Sequence, residues 1–447
     1  MKTWNEIQDG GGGSPAALTG PSPVALAAAP RWGLVAQVVA IALTAGAVAA
    51  LGPRLGIRPP PATLIVVALG ALVVHLVPAR AFELTALAGT LALGVRNPPY
   101  ALFHLALVAA LFVARRKTFA LATVVTVLAL WLPKHLFVSH YHHPAVYDWI
   151  NEPSLVLVLF VTASWWRARR DGRLPRGAEA ASPAAWALPY LFPGHALNPM
   201  VFSPADVFRR RAFDARDVVT GLLLVASKAL AHTVIVHLFG NASYSLLDPA
   251  RLAVASRAEL WEVVAFGYVD LVVTLSGTAD VAVLLARLYG WPMASPFRFA
   301  LLAWNPVELW RRWGIYNRKL LLSLVYFPLG GSRRHRYRNV MLTFLASALL
   351  LHSGWFGSKY WAVGVGGWRD QTVYFLAQGL LVCGCLLVRE VRPSAAPDDR
   401  ALRWSWSRAA GTLATQAASA LVHVIILAQA LPLGARFELI ARCLGAR

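Results

Sequence analysis

Acid is what this chain lacks most: 21 aspartates and glutamates face 42 lysines and arginines, and only 14% of its 447 residues are charged. A soluble globular chain carries about 25% charged residues, so a set of water-facing domains is excluded. Cysteine is nearly absent as well. Cys383, Cys385 and Cys443 cannot build a disulfide framework and show no zinc-type spacing; the polar stretch Ser139–Pro153 holds His140, His142 and His143 with Asp148 and Glu152, a set that could hold a metal but reads rather as a solvated or substrate-facing segment, so no metal site is expected. Cys383 and Cys385 lie two apart in an apolar run, where helix geometry sends them to different faces, and they read as small core residues. No Ser-His-Asp arrangement with a nucleophile elbow is visible, which argues against a covalent serine intermediate.

What is present is apolar sequence: 57% of residues are hydrophobic and the mean hydropathy is positive. Its repeated runs match the roughly 17–25 residues that bilayer thickness asks of a spanning helix. The expected fold is an all-α polytopic transmembrane helical bundle of about 10–12 spans with re-entrant or interfacial helices. Spans are predicted near 33–52, 61–77, 82–94, 98–114, 118–138, 153–166, 217–240, 260–290, 340–357, 371–389 and 409–432. The short piece at 82–94 is re-entrant or pairs with its neighbour, and 260–290 is two helices or one long tilted one. Residues 1–30, with GGGGSP and few large apolar side chains, read as a disordered leader and not as a cleavable signal. Residues 31–185 form an N-terminal set of spans, 186–360 a core, and 361–447 a C-terminal set.

The shortage of acid leaves a formal charge of +21. Its basic residues cluster in short loops beside apolar runs, at 115–117, 167–173, 209–216 and 333–338. That is the positive-inside pattern, with membrane lipids as the counter-charge. Nucleic acid is excluded as a partner, because no basic and aromatic platform lies outside the spans.

Between about 298 and 330 the chain is aromatic and basic, too polar to face lipid, and such backbone is tolerated at depth only inside protein or beside water. Ahead of it stands GTAD at Gly277–Asp280; within it stand LWRRWG at Leu309–Gly314 and YFPLGG at Tyr326–Gly331; LHSGW at Leu351–Trp355 follows. His352 sits alone in an apolar run between Arg338 and Lys359. An ionisable group at that depth is a functional-site hypothesis by default, although an imidazole also serves as hydrogen-bonding glue between helices. Its pKa range suits a general base.

These blocks, in this order, resemble the membrane-bound O-acyltransferase family, in particular the bacterial branch with alginate O-acetyltransferases and the D-alanyl transfer protein. Relatives carry a GYSD block, an FWRRWH block, a Y-PLGG block and a final histidine motif. An upstream Phe-Pro block is matched by LFPGHALNP at Leu191–Pro199, with Asn198 where the family has glycine. The resemblance covers about residues 188–360. It implies a core built around a central tunnel, with His352 as catalytic base, no bound cofactor, and an acyl-CoA or acyl-carrier thioester as co-substrate. The acceptor is then a hydroxyl of a glycan, lipid or secreted metabolite, and relatives further imply a periplasmic partner protein and a bacterial inner-membrane location.

The chain departs from the family at Gly314, where relatives place histidine or asparagine. Asn317, three residues on, shares a helical face with it and is expected to supply the amide donor. Trp310, Arg311, Arg312 and Trp313 have two readings: belt residues with surface anchors, or contacts to donor phosphates, alongside Tyr316. His195 in the Phe-Pro block is expected to line the acceptor path. Asp280, costly in an apolar helix, is expected to support the site by meeting an arginine or a helix N-terminus. Two other functions remain open: a non-catalytic scaffold or lipid-handling relative, as Gly314 permits, and, more weakly, a transporter.

Overall fold

The computed structural model describes residues 31–96 with isolated positions up to 109, then 183–196, 204–207, 210–240, 248–352, 367–391, 405–428 and 431–446. Among the described residues every regular element is helical. In chain order these are α1 (Arg31–Leu51), α2 (Pro61–Leu76), α3 (Ala81–Arg96), α4 (Pro183–Leu191), α5 (Pro204–Val207), α6 (Ala215–Phe239) and α7 (Pro249–Val254). There follow α8 (Arg257–Leu288), α9 (Pro306–Arg312), α10 (Ile315–Leu321), α11 (Arg336–Ala346), α12 (Gly367–Val391), α13 (Trp406–Leu427) and α14 (Leu433–Leu444). The expected all-α membrane bundle is the fold observed.

Five of these helices are long and apolar enough to cross a membrane, and a sixth span arises if the bent α2–α3 pair is counted as one. The spans expected at 118–138 and 153–166, most of 98–114, the leader and the His-rich stretch at 139–153 lie outside the described residues. So do residues 353–357 of the run expected at 340–357, which is helical as far as His352.

Segment 260–290 resolves into one helix. Ser256 and Glu259 form a reciprocal capping box at its start, the Ser256 side chain accepting from the Glu259 N–H while the carboxylate accepts from the Ser256 N–H. At 32 residues α8 extends about 48 Å, more than the roughly 30 Å hydrocarbon layer. It is the central helix: 67% of its apolar window is buried, against 11% for α6 beside it. Short polar caps also start α6 (Asp214), α9 (Asn305, ahead of Pro306) and α13 (Ser405).

The break between α2 and α3 follows from Pro78, which ends the hydrogen-bonded run at Leu76–Val77 and turns the chain by 116°. Helix α3 then meets the Phe-Pro block at Gly89. A methyl group built there falls 1.6 Å from the Leu191 carbonyl oxygen, so glycine is what lets the two backbones touch. Gly89→Ala is expected to lower stability by about 1–3 kcal/mol or more, the cost of forcing extra volume into a packed contact, read as a fall in the detergent melting temperature. The neighbouring Gly94→Ala, which meets open space, is the control and should shift it little.

Two further devices hold the C-terminal half. Asn339, fully buried, donates from Nδ2 toward the carbonyls of Leu329 (3.0 Å), Gly331 (2.9 Å) and Arg334 (2.6 Å), which pins the PLGG turn to α11. Arg436 of α14 is 1% exposed and donates to Asp370 at the start of α12 (2.6 Å), to Ile425 O (2.6 Å) and to Leu431 O (2.8 Å).

Candidate active site

Helix α9 carries Trp310 into the bundle, with Trp313 at its C-terminal cap. Asn305 accepts from the Glu308 N–H at 2.9 Å and Pro306 supplies a preset first turn, so α9 starts sharply and is short. Trp310 packs edge-on against Phe344 of α11 at 5.0 Å and against Phe375 of α12, and its indole N–H donates to Gln378 at 3.3 Å. Its ring is packed among α11 and α12 side chains. Phe344 lies on the same helical stretch that ends at His352, so Trp310 braces the element bearing the predicted base.

That stretch changes character after Ala346. Residues Ser347–His352 form a π-helical turn, and a second π turn covers Leu322–Tyr326 just before PLGG. Single π turns inside α-helices occur frequently at functional sites. His352 closes the first of them.

Arg311 and Arg312 share one buried carboxylate. Glu308, 6% exposed, lies 3.0 Å from Arg311 Nη1 and accepts from Arg312 Nε at 2.7 Å. Arg312 also lies over the Trp304 ring. Both guanidinium groups are thus anchored from behind by a residue that the sequence reading passed over. A glutamate at i relative to arginines at i+3 and i+4 is the signal that was available.

Gly314 starts α10 in the left-handed region, at φ 52°. A Cβ built on it meets only the Cβ of Asn317, at 4.0 Å. Asn317 therefore stands beside the position where relatives carry their polar residue, as the helical spacing predicted, and the glycine leaves that space open. Tyr316 is positioned by the loop before α9: its hydroxyl accepts from the Ala294 N–H and faces the Ala294 carbonyl, both at 3.0 Å. Burial pushes its pKa up to about 12, with Asp206 adding to the effect, so it is a neutral hydrogen-bonding group. His195 lies in the helical turn Pro193–Ala196 after α4, whose Phe192 is buried against Tyr289 and Trp291.

Asp280 sits in α8, 1% exposed. The expected arginine partner is not in contact: among the described residues it makes no ion pair and neither carboxylate oxygen has a hydrogen-bond partner of full geometry. Ser295, Lys228 and Arg287 surround it more loosely. Ser295 adjoins Ala294, whose backbone N–H and carbonyl both face the Tyr316 hydroxyl.

The structure also brings in groups that the motif reading missed. His423 of α13 is buried; its Nδ1 lies 2.6 Å from the Ser419 carbonyl and its Nε2 2.7 Å from the Tyr374 hydroxyl. The carbonyl can only accept, so Nδ1 carries the proton and Nε2 accepts from Tyr374. The ring lies 5.8 Å from Trp313 and 4.6 Å from Tyr268. A lone histidine in an apolar run was the same signal that singled out His352. On α6, His232 bonds Asp270 of α8 at 2.6 Å. Among the described residues no group of three histidine, cysteine or acidic side chains converges on a point that would hold a metal.

No family model matches the chain. Among curated proteins, it is 31% identical over 99 residues to a probable alginate O-acetylase AlgI of Pseudomonas putida, a segment covering 22% of this chain and 19% of that protein. It is 31% identical over 133 residues to the protein of the same name from Azotobacter vinelandii, covering 29% and 23%, and 31% identical over 99 residues to that of Pseudomonas aeruginosa, covering 22% and 18%. The chain thus spans about a fifth of the length of the relatives it matches. Over that segment the chain resembles the alginate O-acetylase branch of the membrane-bound O-acyltransferases.

Proposed function

We propose that the protein is a multi-pass inner-membrane O-acyltransferase that moves an acyl group from a cytoplasmic thioester to a hydroxyl of a glycan, lipid or secreted metabolite. The observation that carries this reading is the ordered set of blocks GTAD, WRRW, YFPLGG and LHSG, alongside partial-length similarity to relatives named alginate O-acetylase. In the step we propose, the acceptor oxygen attacks the thioester carbonyl carbon while His352 takes its proton. Asn317 donates to the oxyanion of the tetrahedral intermediate. The C–S bond then breaks and the departing sulfur leaves as thiol, carrying the proton that His352 returns. Donor and acceptor reach this point from opposite membrane faces through a tunnel, with His195 on the acceptor side and the aromatic and basic α9–α10 segment on the donor side.

A second reading, a non-catalytic relative, draws on Gly314, which offers no side chain where relatives carry a polar one. Turnover separates the two. Protein in lipid nanodiscs is given acetyl-CoA and a panel of polyols, uronic-acid oligosaccharides and glycerolipids, and thiol release is followed with acceptor mass. Acceptor-dependent thiol release with a matching acetylated product is expected. Release that no acceptor stimulates, with donors of any chain length, would overturn the enzymatic reading.

A further inference from the structure

The basic segment holds more positive charge than the protein balances, and the excess is localised. Glu308 is shared between Arg311 and Arg312. Arg318, on the next short helix, is left over. Its Nε is closed off from solvent and has no hydrogen-bond partner among the described residues. Its guanidinium charge is opposed by burial first and then by Arg311 and Arg298, with only Glu308 acting in its favour, and its pKa falls to about 10.

Arg298 is held near it by the backbone. The Arg298 N–H donates to Arg312 O and the Ile315 N–H to Pro296 O, each at 3.0 Å. These two bonds tie the 296–298 loop across the start of α10. Phe297 adds an edge-on contact with Trp313 at 5.2 Å. Arg318 is partly buried and Arg298 exposed. Protein folding alone gives no reason to hold like charges this way, because desolvating an unpaired cation is unfavourable. A multivalent anion removes the conflict, and the guanidinium fork matches phosphate oxygens in pairs.

We propose that Arg318 and Arg298 form a binding site for a phosphate ester, separate in role from Arg311 and Arg312, which Glu308 anchors. The proposal deepens the acyl-transfer reading and rests on it for the identity of the donor, whose carrier arm ends in such phosphates. An anionic lipid headgroup presents the same chemistry.

The test uses the full chain in nanodiscs of neutral phosphatidylcholine, with coenzyme A and unphosphorylated pantetheine as probes. Coenzyme A is expected to bind in a salt-sensitive way. Arg318→Gln should weaken it at least tenfold and Arg298→Gln a few-fold, with partial recovery in Arg318→Lys and no change for pantetheine. Because Arg318→Gln removes an unpaired charge, the unliganded variant should melt no lower than the parent, while the melting shift given by coenzyme A disappears. Phosphatidylglycerol that displaces coenzyme A from the parent, and is retained by it but not by Arg318→Gln, supports the site with lipid as its source. Equal coenzyme A binding and equal phosphatidylglycerol retention in parent and Arg318→Gln overturn the proposal. Loss of phosphate binding in Arg318→Gln, in a parent that transfers no acyl group, keeps the site and removes the catalytic reading.

Discussion

Replacing His352 with alanine is expected to slow acyl transfer by about 10²–10⁴-fold, the range that a positioned general base contributes, with the melting temperature nearly unchanged. The rate of the parent should fall toward acid as the base becomes protonated, and this acid limb should vanish in the variant. The pH profile is the discriminating readout, because a histidine that only glues helices together would move stability and leave the profile in place. Asn317→Ala is expected to lower kcat by about 10²–10³-fold with little change in KM, as for the loss of one oxyanion donor. An unaltered rate in His352→Ala would remove the general base from the mechanism and leave the scaffold reading in front.

The second large effect is structural. Arg436→Ala is expected to cost about 3–5 kcal/mol, because it leaves Asp370 as an uncompensated buried carboxylate along with the Ile425 and Leu431 carbonyls that Arg436 now serves. Denaturation in detergent measures it. The double replacement Arg436→Met with Asp370→Leu should recover most of the loss, since exchanging a buried ion pair for apolar side chains of similar size is often neutral. The Arg211–Asp217 pair provides the contrast: its side chains are 51% and 27% exposed, and exposed pairs contribute about 0–1 kcal/mol. If Arg436→Ala were no worse than Arg211→Ala, the α14–α12 ion pair would not be holding these helices together.

The fold was largely legible in the sequence where length and apolarity decide it. The runs at 33–52, 217–240, 371–389 and 409–432 each became a helix within a few residues, because a bilayer-length apolar run has no other way to satisfy its backbone. The short run at 82–94 was read as re-entrant or paired with its neighbour, and it forms a helix bent sharply from α2, with Pro78 at the break. The site was legible only where a motif marked it. WRRW and PLGG were singled out by resemblance to a family, and only the nearness of Asn317 to Gly314 was read from helical spacing. His423 and Tyr374, the His232–Asp270 pair and the Arg436–Asp370 pair were not, because each joins positions far apart in the chain and nothing local in the sequence says which helices will face each other. Asp280 makes no ion pair among the described residues, although Arg287, Lys228 and Ser295 surround it, because a buried carboxylate in the sequence does not say how closely its neighbours will approach.

The π turn at Ser347–His352 makes the azimuth of His352 a matter of residue count as well as residue type. One surplus residue per wide turn rotates everything after it by about 100° around the helix axis relative to a regular α-helix. Excising a single residue from 348–351 would therefore restore an ordinary spiral and re-aim the histidine while every side chain of the motif survived. A one-residue deletion here, unlike a substitution, would change the helical register at position 352 while leaving the motif's composition intact.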